Sequence, residues 1–178
     1  MLAVLLVSVT TAFAQQDFKV ETDNAGNKML VGKLNLQLLA NDSAFSWFYS
    51  GINKYQPNKE WSRYIQYYRD SFSVVVFAGT WETNTQNLLP ALYRTLMAAG
   101  YPLNTIALYG VDQQMHALNG EAAQYRVRKL PTIIIAHEGQ ELGRIEAVPV
   151  QSVEANIVAI LQTRFRPEGE PAAPAQLQ

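Results

Sequence analysis

The residues best arranged for chemistry are Trp81-Glu82-Thr83-Asn84-Thr85, a polar loop between an apolar run at 73–78 and a helical stretch that carries Pro90. A nucleophile placed between a buried strand and a helix N-terminus gains from the positive end of the helix dipole, and a thiol there would have its pKa lowered. No thiol is present, because the 178 residues contain no cysteine. Thiol–disulfide exchange needs a thiolate to attack a disulfide sulfur, so that reaction is excluded by composition. Glu82 offers a carboxylate instead. Near the start of a helix it would contribute about 0.3–1 kcal/mol through the dipole, with Thr83 or Asn84 as the N-cap taking an orphan N–H. As a general acid or base Glu82 has no partner close in sequence. His116 and His137 stand far apart and fall in no H-x-x-x-H or Cys/His pattern, so no metal site is expected. No Gly-rich phosphate loop, Gly-x-Ser-x-Gly or acidic calcium loop occurs, and no cofactor is expected.

The elements that hold this loop belong to a packed globule: 48% of residues are hydrophobic and only 16% charged, which argues against disorder. A net charge of −1 without a Lys/Arg cluster removes the electrostatic case for nucleic acid or anionic lipid as the main partner. Without disulfides, stability must come from burial. Residues 1–14 read as a signal peptide, with an apolar run from Leu2 to Val9 and a small-x-small cleavage site at Ala12-Phe13-Ala14. An N-terminal buried strand is the alternative. The run falls short of the ~20 apolar residues that cross a bilayer. The expected mature chain therefore starts near Gln15, lacks an integral membrane segment and resides in the periplasm or is secreted.

Residues 15–72 form an N-terminal extension expected to be mostly helical, after a polar lead-in at 16–27 and a short edge strand at 28–33. Helical spacing runs from Leu34 to Tyr55, interrupted near Asp42-Ser43, and resumes from Lys59 to Asp70 with Asn58 as N-cap. The extension is rich in aromatics, among them Phe45, Trp47, Tyr67 and Phe72. Two readings stand: they pack the added helices onto the main domain, or some, such as Trp47 and Tyr67, form an exposed partner surface. From 73 to 165 the order is β-α-β-α-β-β-α. An unalternating strand at 73–78 leads to a helix at 84–99 closed by Gly100, then a strand at 105–109 and a short helix at 117–125. A strand at 132–137, an alternating strand at 141–146 and a closing helix at 152–163 complete it. Residues 166–178 are a Pro/Ala/Glu tail expected to be disordered.

The 73–165 segment resembles the thioredoxin family. The resemblance rests on Phe77-Ala78-Gly79-Thr80-Trp81 followed by four loop residues and a helix with Pro90, on Val111-Asp112, and on Tyr125-Arg126-Val127-Arg128-Lys129-Leu130-Pro131-Thr132. It is similar above all to exported thioredoxin-like proteins, common in Bacteroidetes, whose loop reads Gly-Thr-Trp-Cys-x-Asp-Thr. The resemblance implies an α/β thioredoxin-like fold and a cis Leu130-Pro131 bond. It places Glu82 on the cysteine position and Val76 where thioredoxins carry a buried Asp, so Trp81, Glu82, Thr83, Asn84 and Thr85 would be vestigial active-site positions. It also implies a groove in which an extended peptide lies against Trp81, Glu82, Leu130 and Pro131. Three functions remain in view. A non-catalytic module could bind a peptide or protein partner in that groove. An enzyme, or a member of a redox pathway, could use the same groove. A structural protein could use its aromatic helices.

Overall fold

A computed structural model describes residues 17–165. The expected leader at 1–14 and the expected tail at 166–178 lie outside the described residues. The strands are β1 Phe18–Thr22, β2 Lys28–Leu34, β3 Ser73–Ala78, β4 Ala107–Gly110, β5 Thr132–His137 and β6 Gln140–Glu146. The helices are α1 Leu36–Ala40, α2 Ser46–Lys54, α3 Lys59–Tyr68, α4 Thr83–Ala98, α5 Glu121–Gln124 and α6 Val153–Leu161. The six strands make one mixed sheet in the order β1-β2-β4-β3-β5-β6, an α/β arrangement compatible with a thioredoxin-like fold.

The unbroken apolar run of β3 follows from its position at the centre. It pairs in parallel with β4 (Val76↔Leu108) and antiparallel with β5 (Val76↔Ile133), and both its faces are covered. On one face Val74, Val76 and Ala78 join the large core built with Phe48, Leu89, Leu92 and Ile157 of the helices. On the other, Phe77 meets Val111, Ala122, Leu130 and Ile134. The two covers are unequal. Residues of α1, α2, α3, α4 and α6 all contribute to the first core. The second is closed by the 111–130 segment with the single-turn α5.

The segment before β3 differs from expectation at its start. The supposed loose lead-in contains β1, and the supposed edge strand, β2, lies between β1 and β4 with Met29, Leu30 and Val31 buried. Its inner position is possible because Gly110 of β4 lacks a side chain: a Cβ there would stand 2.1 Å from the Leu30 carbonyl oxygen. β1 left little trace because it is the true edge, five residues long, with Val20 54% exposed.

Local signals set the helix ends. Asn58 Oδ1 accepts from the N–H groups of Glu60 and Trp61 at the start of α3, and Asp42 caps a single 3₁₀ turn at Ser43–Phe45. At the end of α4, Gly100 adopts a left-handed φ of 64° while Tyr101 N–H returns to Leu96 O. Packing claims most of the aromatics: Phe45, Phe48, Tyr64, Tyr68 and Phe72 are buried, and Trp47, Tyr55 and Trp61 pack against the same core. Tyr49 and Tyr67 stay exposed, at 50% and 73%. Contacts between distant segments hold the extension in place. Gly51 of α2 sits over Pro90 of α4, so close that a Cβ would lie 2.6 Å from the proline ring. Glu154, buried in the first turn of α6, accepts from Tyr55 Oη at 2.7 Å and Asn58 N–H at 2.9 Å. No helix among the described residues is long and apolar enough to cross a membrane.

Candidate functional site

The loop from Gly79 to Glu82 leaves the C-terminal end of β3 and turns into α4, with Glu82 N–H bonded to Gly79 O at 2.9 Å. Several polar groups of this turn are tied to neighbours. Thr80 Oγ1 accepts from Leu30 N–H of β2 at 3.1 Å, and Trp81 Nε1 donates to Val111 O at 3.0 Å. Gln86 Nε2 donates to Thr80 O at 3.1 Å, and Thr85 Oγ1, fully buried, accepts from Gly79 N–H at 3.3 Å. Thr85, one of the positions that the resemblance marks, thus presents a hydroxyl turned onto the backbone.

The cap of α4 is a correction to the sequence reading. Neither Thr83 nor Asn84 caps the helix; Glu82 does, its two oxygens accepting from Asn84 N–H at 2.8 Å and Thr85 N–H at 2.6 Å. Short side chains are the usual caps because they reach these N–H groups without losing rotamer freedom. With Glu82 in an extended conformation (φ −101°, ψ 130°), the longer carboxylate takes two orphan donors and meets the helix dipole as well. The position that the resemblance assigns to a thiolate is therefore filled by the chain's own anion. Thr83 is exposed at the first helical position. Val76, where the resemblance would put a buried Asp, is 0% exposed and packed among apolar neighbours.

The structure brings Trp81 and Leu130 together across Gly79. A Cβ on Gly79 would stand 3.0 Å from both Leu130 Cδ1 and Trp81 Cε2, so the glycine lets the two side chains close over it. Leu130 is only 6% exposed and Trp81 partly so, both belonging to the smaller core. The Leu130 side chain is consequently part of the wall, and what it can offer a ligand is its backbone. Leu130-Pro131 is cis. The flanking carbonyls are occupied: Lys129 O accepts from Thr132 Oγ1 at 2.7 Å, and Pro131 O from Ala147 N–H at 2.9 Å. Among the described residues no hydrogen bond engages the Leu130 N–H or C=O.

Two clefts open beside the first turns of α4, in places that sequence reasoning did not single out. One of about 270 Å³ lies between Leu88 and Ala91 of α4 and the 147–153 loop. The other, about 390 Å³, lies between Trp47, Lys54 and Tyr55 of the extension and Gln86-Asn87. Tyr55 and Asn87 line both. The run Ala147-Val148-Pro149-Val150, apolar yet between two elements, was the signal available in the sequence. Val148 and Val150 are 70% and 97% exposed, and Ala147 adopts a left-handed φ of 54°, a conformation rare for a side chain with a Cβ and concentrated near functional sites. His116 is exposed beside Asp112, and His137 Nδ1 lies 2.6 Å from Ser71 O. Among the described residues no group of three His, Cys, Asp or Glu gathers. No family model and no curated protein matches the chain.

Proposed function

We propose that this is a redox-inactive thioredoxin-like protein, located outside the cytoplasm, that binds an extended peptide or protein segment along the Leu130 backbone beside Trp81. The observation that carries this reading is the unpaired Leu130 peptide group between two carbonyls that are both satisfied. A backbone donor and acceptor left without partners cost free energy unless water or a ligand meets them, and in extended backbone one residue presents both to the same side, as a pairing strand requires. The cis Leu130-Pro131 bond and the Trp81 loop agree with the thioredoxin-like resemblance, the lack of cysteine supports redox inactivity, and the leader expected at 1–14 supports export. Against an enzyme in this groove stands Glu82, whose two oxygens are committed to backbone N–H groups.

The test is fluorescence polarisation with a library of ten-residue peptides. Methylating the backbone nitrogen that pairs with Leu130 O should weaken a selected binder about fivefold, the worth of about 1 kcal/mol for one hydrogen bond. Trp81→Ala should weaken it about tenfold or more. Binding indifferent to both changes would remove the groove as the site. A second reading is favoured by Tyr67, 73% exposed on α3, as part of an aromatic partner surface. Partner capture that fails in Tyr67→Ala and survives Trp81→Ala would select it.

A further inference from the structure

The two clefts beside α4 adjoin the Leu130 turn, since Ala147, which lines the first, donates its N–H to Pro131 O. Ala147, Asn84, Tyr55 and Asn87 line the first cleft, and the second, which shares Tyr55 and Asn87, is lined also by Trp47 and Lys54 of α2. The first cleft is walled by Leu88, Ala91, Val148, Pro149 and Val153, a lining suited to an apolar side chain. Lys54 is the only charged residue lining either cleft, and among the described residues it makes no ion pair. The carboxylate of Glu154, which meets Tyr55 of the cleft lining, is buried and held by Tyr55 Oη and Asn58 N–H. The walls are fixed. Trp47 packs edge-on against Phe45 and Phe48, and α2 is seated on α4 through Gly51 and Pro90.

We propose that the N-terminal extension is part of the binding site. The peptide held at Leu130 continues across α4, places an apolar side chain between Leu88 and Val148, and then pairs an acidic side chain with Lys54. The proposal rests on the Leu130 reading and adds to it the chemistry of the ligand. The residues of α4 that line one cleft or the other fall between Asn84 and Ala91, a stretch that rises about 10 Å at ~1.5 Å per residue. About three extended residues cover that length at ~3.3 Å each, so the apolar and acidic residues of the ligand should stand no more than about four positions apart.

The experiment uses the full chain and a peptide library with one apolar and one acidic residue at varied spacing, read by fluorescence polarisation at low and high salt. Selected peptides should carry the acidic residue at a preferred spacing. Lys54→Glu should weaken them about tenfold or more at low salt and reverse the salt dependence, while a peptide with Gln for the acidic residue should bind the wild type and the variant alike. Val148→Asp, at an exposed position where folding is not at stake, should lower affinity for every apolar-anchored peptide. Binding that needs Trp81 but ignores Lys54, Val148 and the acidic residue overturns this proposal and leaves the Leu130 reading standing. Absence of any peptide binding overturns both. If Lys54→Glu instead changes the mass of the protein in sedimentation, or removal of 166–178 is what opens the clefts to a probe, their occupant is a second copy or the chain's own tail, and the proposal fails.

Discussion

Two glutamates stand at the N-terminal ends of two helices and are used in opposite ways. Glu82 precedes α4 and turns both oxygens onto N–H groups two and three residues away. Glu154 lies in the first turn of α6, 2% exposed, and gives its oxygens to Tyr55 and Asn58, 99 and 96 residues away in sequence. Both carboxylates gain from a helix dipole. Their difference lies in burial and partners. The first, half in solvent, closes its own helix. The second has lost its water, a cost that is offset only while its hydrogen bonds hold, and those bonds clamp the corner between α2 and α3 to the body of the protein. The helix end that the resemblance marks as the site is thus locally finished, whereas the seemingly unremarkable end of α6 carries the long-range connection.

Breaking the clamp should have the largest effect on stability. Glu154→Leu removes the acceptor from a tyrosine hydroxyl and a backbone N–H, and an unsatisfied polar group costs roughly 1–3 kcal/mol. We expect a loss of about 2–4 kcal/mol in urea unfolding. Glu154→Gln, which keeps one acceptor oxygen, should cost less. The double variant Tyr55→Phe with Glu154→Leu should recover part of the loss, since both members of one hydrogen bond are then apolar. A neutral Glu154→Leu would mean that Glu154 clamps nothing.

The same contrast explains what was legible in the sequence. β3, α4 with its closing Gly100, and the Asn58 cap are written in residues close along the chain, and the sequence reading places them within a few residues of their observed bounds. Trp81 and Leu130-Pro131 were found through a resemblance whose motifs lie fifty residues apart, and Gly79 shows why they meet. Hidden were β1, whose short, half-exposed edge carries no apolar pattern, and the inner position of β2, set by contact with Gly110. Also hidden was Glu154, whose sequence neighbourhood says only that it begins a helix. The α4 cap was misplaced for a local reason: the preference for short caps pointed to Thr83 or Asn84, and a longer Glu82 reaches two donors at once.

Glu82 supplies the smaller effect. Replacing a capping side chain by Ala costs about 1 kcal/mol, and Glu82→Ala should lower stability by about that much, with no change in how α2 and α3 are held. Hydrogen exchange provides the sharper view: faster exchange should be confined to the first turn of α4 in Glu82→Ala and should spread to α2 and α3 in Glu154→Leu. Equal patterns in the two variants would erase the distinction between a local cap and a clamp.

The smallest effect at neutral pH is the one that titrates. The Tyr55 hydroxyl is pushed well above the ordinary tyrosine value of 10.0, first by burial and then by its hydrogen bond to Glu154 and the charge of that group. Tyr93 is raised by burial alone. A folded-state pKa above the unfolded one means that the native protein keeps a proton which the unfolded chain gives up near pH 10, so these groups contribute nothing to the slope below that pH. Above it the unfolded state is favoured increasingly, and stability falls as pH rises toward the folded pKa. Tyr55→Phe should make this fall shallower without abolishing it, because Tyr93 still titrates. Glu82→Ala should leave the slope unchanged while shifting the whole curve downward. An unchanged slope in Tyr55→Phe would show that the Tyr55 hydroxyl is not sequestered with Glu154, and the clamp would then rest on the Asn58 N–H.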